Sequence, residues 1–171
     1  DELVHELQNA DIQISIESDR SCYILGEVWK GNAKNCENAI FIGVGTGIGA
    51  GILFQGNIIT GKSGIAGAIG WMALNPPYND KYIECGNFEY YASGQGISRN
   101  AIEKLKTSLH VESVLRLKSE DSITAQDVFN AYEKNDVIAK EVVEEAILYW
   151  GMAFANLISI FNPEKLILGG G

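Results

Sequence analysis

The sequence predicts an α/β fold, and three observations predict it. Short apolar runs with strand character alternate with longer helical stretches, in the order β-α-ββ-loop-α-α-β. Glycine makes up 19 of 171 residues, about 11% against an average near 7%, and the excess clusters at the ends of the apolar runs. The length corresponds to about one domain and is enough to bury an ordinary core.

Each element has its own local reason. Leu3, Val4 and Leu7 share a helical face over residues 1–10. Ile12, Ile14 and Ile16 alternate with polar residues, the period of a strand with one buried face. A helix is predicted over Cys22–Trp29 and a polar loop over Gly31–Asn38. Ala39–Val44 is an apolar run ending in glycines, which suits a buried strand. Gly49–Thr60 reads as a second strand with a turn at Gln55-Gly56-Asn57, so the two make a hairpin with a glycine-rich tip. Residues 61–94 read as irregular but aromatic-rich, the character of a functional loop. Ser98–Leu109 is predicted helical, and Asp121–Thr124 signals the start of a helix running to about Lys134. Asn135-Asp136 breaks the chain. Val137–Phe161 follows as a long helix, apolar on most faces and expected to be deeply buried, and Pro163 stops it. Lys165–Leu168 is a closing strand that runs into glycines.

Composition excludes several function classes. Charged residues number 13 basic and 22 acidic, a net charge of −9, so the chain carries no basic face for nucleic acid. The acidity by itself points to solubility. No apolar run reaches the roughly 18 residues of a membrane helix. No leader pattern is visible at the start, and because the chain begins at Asp1 an upstream segment is expected. Cys22, Cys36 and Cys85 have no paired spacing, which implies a reducing cytoplasm without a disulfide framework.

Five motifs carry chemistry. Gly43-Val44-Gly45-Thr46-Gly47-Ile48-Gly49-Ala50-Gly51 could converge backbone N–H groups on an anion, with the Thr46 hydroxyl as a further donor, or could simply make a tight hairpin. No Gly-Lys-Ser/Thr follows, so it is not a P-loop. Glu17-Ser18-Asp19 closes a strand where ligand crevices open, although position alone favours Asp19 as the cap of the helix from Arg20. Gly61 to Trp71 is rich in small residues yet too apolar, at Ile65, Ile69 and Trp71, for a solvated linker. Cys85 to Gly94 holds Glu89 among aromatics, where it could accept sugar hydroxyls or sit at a helix start. A lone cysteine makes no structural zinc site. Asn162 to Gly171 ends a strand in glycines, against which a flat ligand such as adenine could lie.

In order and spacing, these five pieces resemble the ROK family, the bacterial sugar kinases and sugar-responsive repressors of the actin-like ATPase superfamily. The resemblance runs from about Ile12 to Gly171. It is carried by Glu17-Ser18-Asp19 with Leu25-Gly26-Glu27, by Gly45-Thr46-Gly47-Ile48-Gly49, and by Asn162-Pro163-Glu164 with Leu168-Gly169-Gly170-Gly171. It implies an actin-like (ribonuclease H-like) lobe, a mixed sheet flanked by helices. Residues 1–37 would be the tail of an N-terminal lobe and 38–171 a C-terminal lobe. It further implies ATP and Mg²⁺, Asp19 as general base, and Ser18, Gly61 and Glu89 as sugar-binding residues. Gly45, Thr46, Gly47, Gly169 and Gly170 would bind ATP, and the protein would be a homo-oligomer, as a dimer. Positioning and charge stabilisation are what phosphoryl transfer mainly requires.

Two departures bear on the sugar side. The family's Gly-Glu-Ile-Gly-His is Gly67-Ala68-Ile69-Gly70-Trp71 here, so both polar groups are gone and Trp71 could stack on a sugar face. Its multi-cysteine loop is reduced to Cys85, so no zinc is expected. The eroded site also suits the effector domain of a sugar-responsive repressor, the alternative to a sugar kinase. As half of an ATP cleft, residues 1–171 alone are expected not to catalyse.

Overall fold

The computed structural model describes residues 17–170. The helix expected over 1–10, the strand Ile12–Ile16 and Gly171 lie outside the described residues. Among the described residues, four strands form one sheet: β1 (Ala39–Val44), β2 (Ile48–Phe54), β3 (Asn57–Ile58) and β4 (Lys165–Gly169), in the order β3-β2-β1-β4. β1 is antiparallel to β2, with Ala39 opposite Leu53 and Val44 opposite Ile48. It is parallel to β4, with Gly43 opposite Gly169. A parallel neighbour needs a long crossover, and residues 59–164 supply it with four helices. These are α2 (Asn87–Ala92), α3 (Gly94–Thr107), α4 (Ala125–Tyr132) and α5 (Val137–Phe161).

The sheet is covered on both faces, which explains why β1 is an unbroken apolar run. Ile40 and Ile42 point into the main core with Ile48, Ala50 and Ile52 of β2 and the buried faces of α2–α5. Ala39 and Phe41 point the other way and join Leu53 and Ile24, the latter from helix α1 (Asp19–Lys30). Gly49 and Gly51 of β2 lie on that same face. A Cβ at Gly49 would stand 2.7 Å from Arg20 Cδ, and one at Gly51 would strike the Arg20 carbonyl oxygen. Their bare backbone lets α1 rest directly on the sheet.

Several elements differ from the sequence-based expectation. α1 starts at Asp19 rather than Cys22, with extended Ser18 at the N-cap position. α2 falls within the stretch read as irregular. Six residues carry little helical signal of their own, and the helix depends on Phe88, which is fully buried. Burying a phenylalanine is worth about 1.5–3 kcal/mol. α3 starts at Gly94, four residues early, because Ser93 Oγ accepts from the Gly96 N–H at 3.0 Å, while two low-propensity glycines hide the start in the sequence. α5 has the expected bounds but not the expected burial. One face, from Ile138 through Tyr149 to Leu157, is buried, while Leu148 is 63% and Ile160 67% exposed. Among the described residues, no helix is long and apolar enough to cross a membrane.

α4 begins with a reciprocal capping box. Thr124 Oγ1 accepts from the Asp127 N–H at 3.3 Å, and Asp127 Oδ2 accepts from the Thr124 N–H at 3.0 Å. The Lys118 ammonium at 2.6 Å, helped by the Thr124 donors, holds the Asp127 carboxyl down at about 2 from its usual 3.8. A carboxyl depressed by folding stabilises the fold above its unfolded pKa and ceases to do so as pH falls through the folded one. Denaturant midpoints should therefore drop between about pH 4 and pH 2, and Asp127→Asn should flatten that part of the profile.

Candidate functional site

The site is built around the β1–β2 hairpin tip, Gly45-Thr46-Gly47. The tip closes on itself through the Gly45 N–H, which donates to Gly47 O at 3.0 Å. Segment 89–95, spanning the α2–α3 junction, holds it from outside. Glu89 Oε2 accepts from the Ile48 N–H at 2.7 Å, and the Gly94 N–H donates to Gly45 O at 2.8 Å. Gly47 and Gly70 pack their backbone close against the Glu89 carboxylate. A Cβ at Gly47 would lie 2.9 Å from Oε2, and one at Gly70 2.8 Å.

Two cavities open on opposite sides of this tip. The larger, about 1180 Å³, runs between the tip and helices α3 and α4. Thr46, Gly169 and Gly170 form one side, with Gln95, Ser98, Phe129 and Trp150 opposite. The Trp150 indole is fixed by donating to Ala92 O at 3.0 Å. The smaller, about 660 Å³, lies between the tip and the start of α1. Asp19, Arg20, Tyr23, Trp71 and Glu89 face it. Val44, Gly45, Thr46 and Gly170 line both cavities, so the tip is their common wall. Gly170 has φ +131°, and a Cβ there would meet Val44 O, so strand end and tip touch backbone to backbone.

Most of the expected site residues come together. Asp19, Gly45, Thr46, Gly47, Glu89 and Gly170 surround the smaller cavity, and Gly169 lines the larger. Asp19 is exposed; its Oδ1 accepts from the Arg20 N–H at 2.8 Å. It is the first residue of α1 and not its cap. Ser18 stands beside the cavity, its hydroxyl accepting from Arg20 Nε at 3.0 Å, but outside the lining. Gly61, with φ +71° and Ala66 against it, lies outside both linings. Cys85 has the Arg99 guanidinium 3.9 Å from its sulfur. Among the described residues, no three His, Cys, Asp or Glu side chains gather to hold a metal ion.

Sequence reasoning missed Arg20 and Tyr23 on the small cavity and the α3 positions on the large one. Tyr23 was within reach, since it stands one helical turn beyond Asp19 at i+4 and three residues after Arg20. Arg20 also reaches across to Gly64 O at 3.3 Å, tying α1 to the 61–67 loop. Gln95 gave no signal because the start of α3 was hidden by its glycines, and Ser98, inside the expected helix, is an ordinary residue for a helix start.

The remaining observation is kinship. A family model described as ROK family matches residues 2–171. The chain belongs to the ROK family. It is 36% identical over 168 residues to a glucokinase of Halalkalibacterium halodurans, covering 96% of this chain and 50% of that protein. It is 28% identical over 165 residues to a xylose repressor of Caldicellulosiruptor bescii, covering 95% of this chain and 41% of that protein. Among solved structures, a ROK family glucokinase from Streptomyces griseus in complex with glucose and AMPPNP superposes with a TM-score of 0.77 at 28% identity, covering 96% of this chain and 54% of that one. The architecture is thus an actin-like ATPase lobe, a mixed sheet flanked by helices. The chain spans about half the length of the curated kinase it matches.

Two expectations follow from the geometry. Burial, and next the hydrogen bond to Glu103 at 2.8 Å, push the Tyr90 phenol up to about 12 from its usual 10.0. A raised acid contributes stability that is whole below its unfolded pKa and lost as pH rises through the folded one. Stability should fall between about pH 10 and 12, and absorbance titration should find a tyrosine, absent in Tyr90→Phe, that ionises near 12. In the full-length protein, Gly170→Ala should cost about 1–3 kcal/mol by denaturant titration, because a side chain there is both strained and obstructed.

Proposed function

We propose that the protein containing this chain is a sugar kinase that moves the γ-phosphoryl group of ATP onto a sugar hydroxyl. One observation carries the reading. The glycine tip separates a cavity of nucleotide size from a second cavity bearing a carboxylate. In this reading the nucleotide occupies the 1180 Å³ cavity, its base toward Phe129 and Trp150 and its phosphates along Gly45, Thr46 and Gly170, reaching toward Gly47 on the side of the smaller cavity. The sugar occupies the 660 Å³ cavity beside Asp19 and Glu89. Bare backbone at the tip admits phosphate oxygens without a Cβ in the way.

Asp19 is the general base. As the hydroxyl oxygen bonds to the γ-phosphorus and the bond to the bridging oxygen of ADP breaks, the hydroxyl proton passes to the Asp19 carboxylate. Its place at the first turn of α1 keeps the carboxylate at a helix N-terminus, where negative charge is favoured. The Thr46 hydroxyl and the tip amides other than that of Gly45, which is committed to Gly47 O, stabilise charge on the transferring group. Mg²⁺ would accompany the nucleotide and neutralise charge on its phosphates. Residues 1–37 serve as the tail of the first lobe and 38–171 as the second. The rest of the full-length protein completes the cleft, as the half-length coverage of the curated kinase suggests.

A second reading has its own support. Ala68 and Trp71 replace the acid and histidine of the family pattern on the sugar side, and a sugar-responsive repressor would need binding without turnover. ADP release from the full-length protein with Mg-ATP, over hexoses and N-acetylhexosamines, decides between them. The kinase reading expects sugar-dependent turnover that falls by roughly 10²–10⁴ in Asp19→Asn. Sugar binding by calorimetry with no turnover on any sugar would favour the repressor.

A further inference from the structure

We infer that Glu89 is a positioning residue that couples the two cavities, so that a sugar in one sets the affinity for nucleotide in the other. The inference rests on the kinase reading and concerns the order imposed on the site, not the chemistry.

The Glu89 carboxylate is shared between two environments. Oε2 is committed to the Ile48 N–H at 2.7 Å, at the point where β2 leaves the tip. Among the described residues Oε1 accepts no hydrogen bond, and the side chain lines the 660 Å³ cavity. Gly47 and Gly70 flank the group so closely that a Cβ at either would stand under 3 Å from Oε2. The carboxylate therefore has a slot and little room to leave it. Five residues further on, the Gly94 N–H holds Gly45 O at 2.8 Å, and Gln95 lines the 1180 Å³ cavity. One short segment thus touches both sides of the tip and both cavities.

The physical consequence is a shared ordering cost. A sugar hydroxyl donated to Oε1 fixes the carboxylate, and the carboxylate fixes the Ile48 amide through a charge-assisted hydrogen bond. A tip ordered by the first ligand leaves less for the second to order, which is positive coupling. Linkage makes the effect reciprocal. Glu89 holds the Ile48 amide at the foot of the tip whose Thr46 lines the nucleotide cavity, so the carboxylate acts on nucleotide through Ile48 without touching it.

The test uses the full-length protein with glucose and AMPPNP as probes. Calorimetry gives the AMPPNP Kd with and without glucose, and hydrogen exchange reads the Ile48 amide without either ligand. The wild type should bind AMPPNP at least five-fold more tightly with glucose present. Glu89→Ala should bring that ratio to within two-fold of one and speed Ile48 exchange at least ten-fold, with α3 amides unchanged. Glu89→Gln keeps an acceptor for the Ile48 N–H and should retain an intermediate ratio. Gly47→Ala, which displaces the carboxylate from the opposite side, should lower the ratio with Glu89 intact. Weakened glucose binding with an unchanged AMPPNP ratio and unchanged Ile48 exchange would overturn the inference, leaving Glu89 a sugar contact alone. A wild type that binds both probes without mutual enhancement would overturn the coupling but not the kinase reading. One that binds neither would overturn both.

Discussion

The site depends on how closely helix α1 can approach strand β2. Gly49 and Gly51 both face α1, and a side chain at either would collide with Arg20, at its methylenes in one case and at its backbone carbonyl in the other. Removing the side chains from alternate positions of one strand lowers the helix onto the sheet while leaving Ile48, Ala50 and Ile52 free to fill the opposite core. Asp19 sits at the near end of that helix. Its place in the small cavity therefore follows from a packing distance set several residues away. The glycines of this hairpin fall into two groups: those at the tip leave backbone bare beside the two cavities, and those on the strand leave room for a helix.

The second constraint is the clamp on the tip. A loop of Gly45, Thr46 and Gly47 has high conformational freedom and would order itself poorly. It is held through main-chain atoms by segment 89–95, at Ile48 by Glu89 and at Gly45 by Gly94. Segment 89–95 is in turn anchored by Phe88 in the core and by a tyrosine cluster in which Tyr91 stacks on Tyr149 of α5 at 4.6 Å and Tyr90 donates to Glu103 of α3. Lys81 places its ammonium over the Tyr82, Tyr90 and Tyr91 rings, which ties the preceding loop to the same cluster. Helix packing thus restrains, from outside, a glycine loop that carries no rigidity of its own.

Much of this was readable from residues alone. The apolar run of β1, the hairpin, the bounds of α5 and the closing strand all follow from local pattern, because burial on one or two faces imprints a period on the chain. The candidate positions Asp19, Glu89 and Gly45 to Gly47 could be singled out through the motifs around them, whose order and spacing resemble the ROK family. What local pattern misjudged was α2, the start of α3, and the exposed face of α5. In each case burial overrode or contradicted intrinsic preference: Phe88 holds a six-residue helix, glycines open α3, and apolar side chains on α5 stay uncovered among the described residues.

By itself, the sequence determined the fold class, the family and the residues on which chemistry could rest. Tertiary structure alone decided that the glycine tip is a wall with a cavity on each side, that Arg20 and Tyr23 join Asp19 there, and that Ser18 and Gly61 stand outside the lining. It also decided that Glu89 braces the tip through Ile48. The reason is range. Periodicity and residue type report on neighbours within a few positions, whereas the Ile48–Glu89 contact joins residues 41 apart, and such a pairing exists only once the sheet and helices have been packed together.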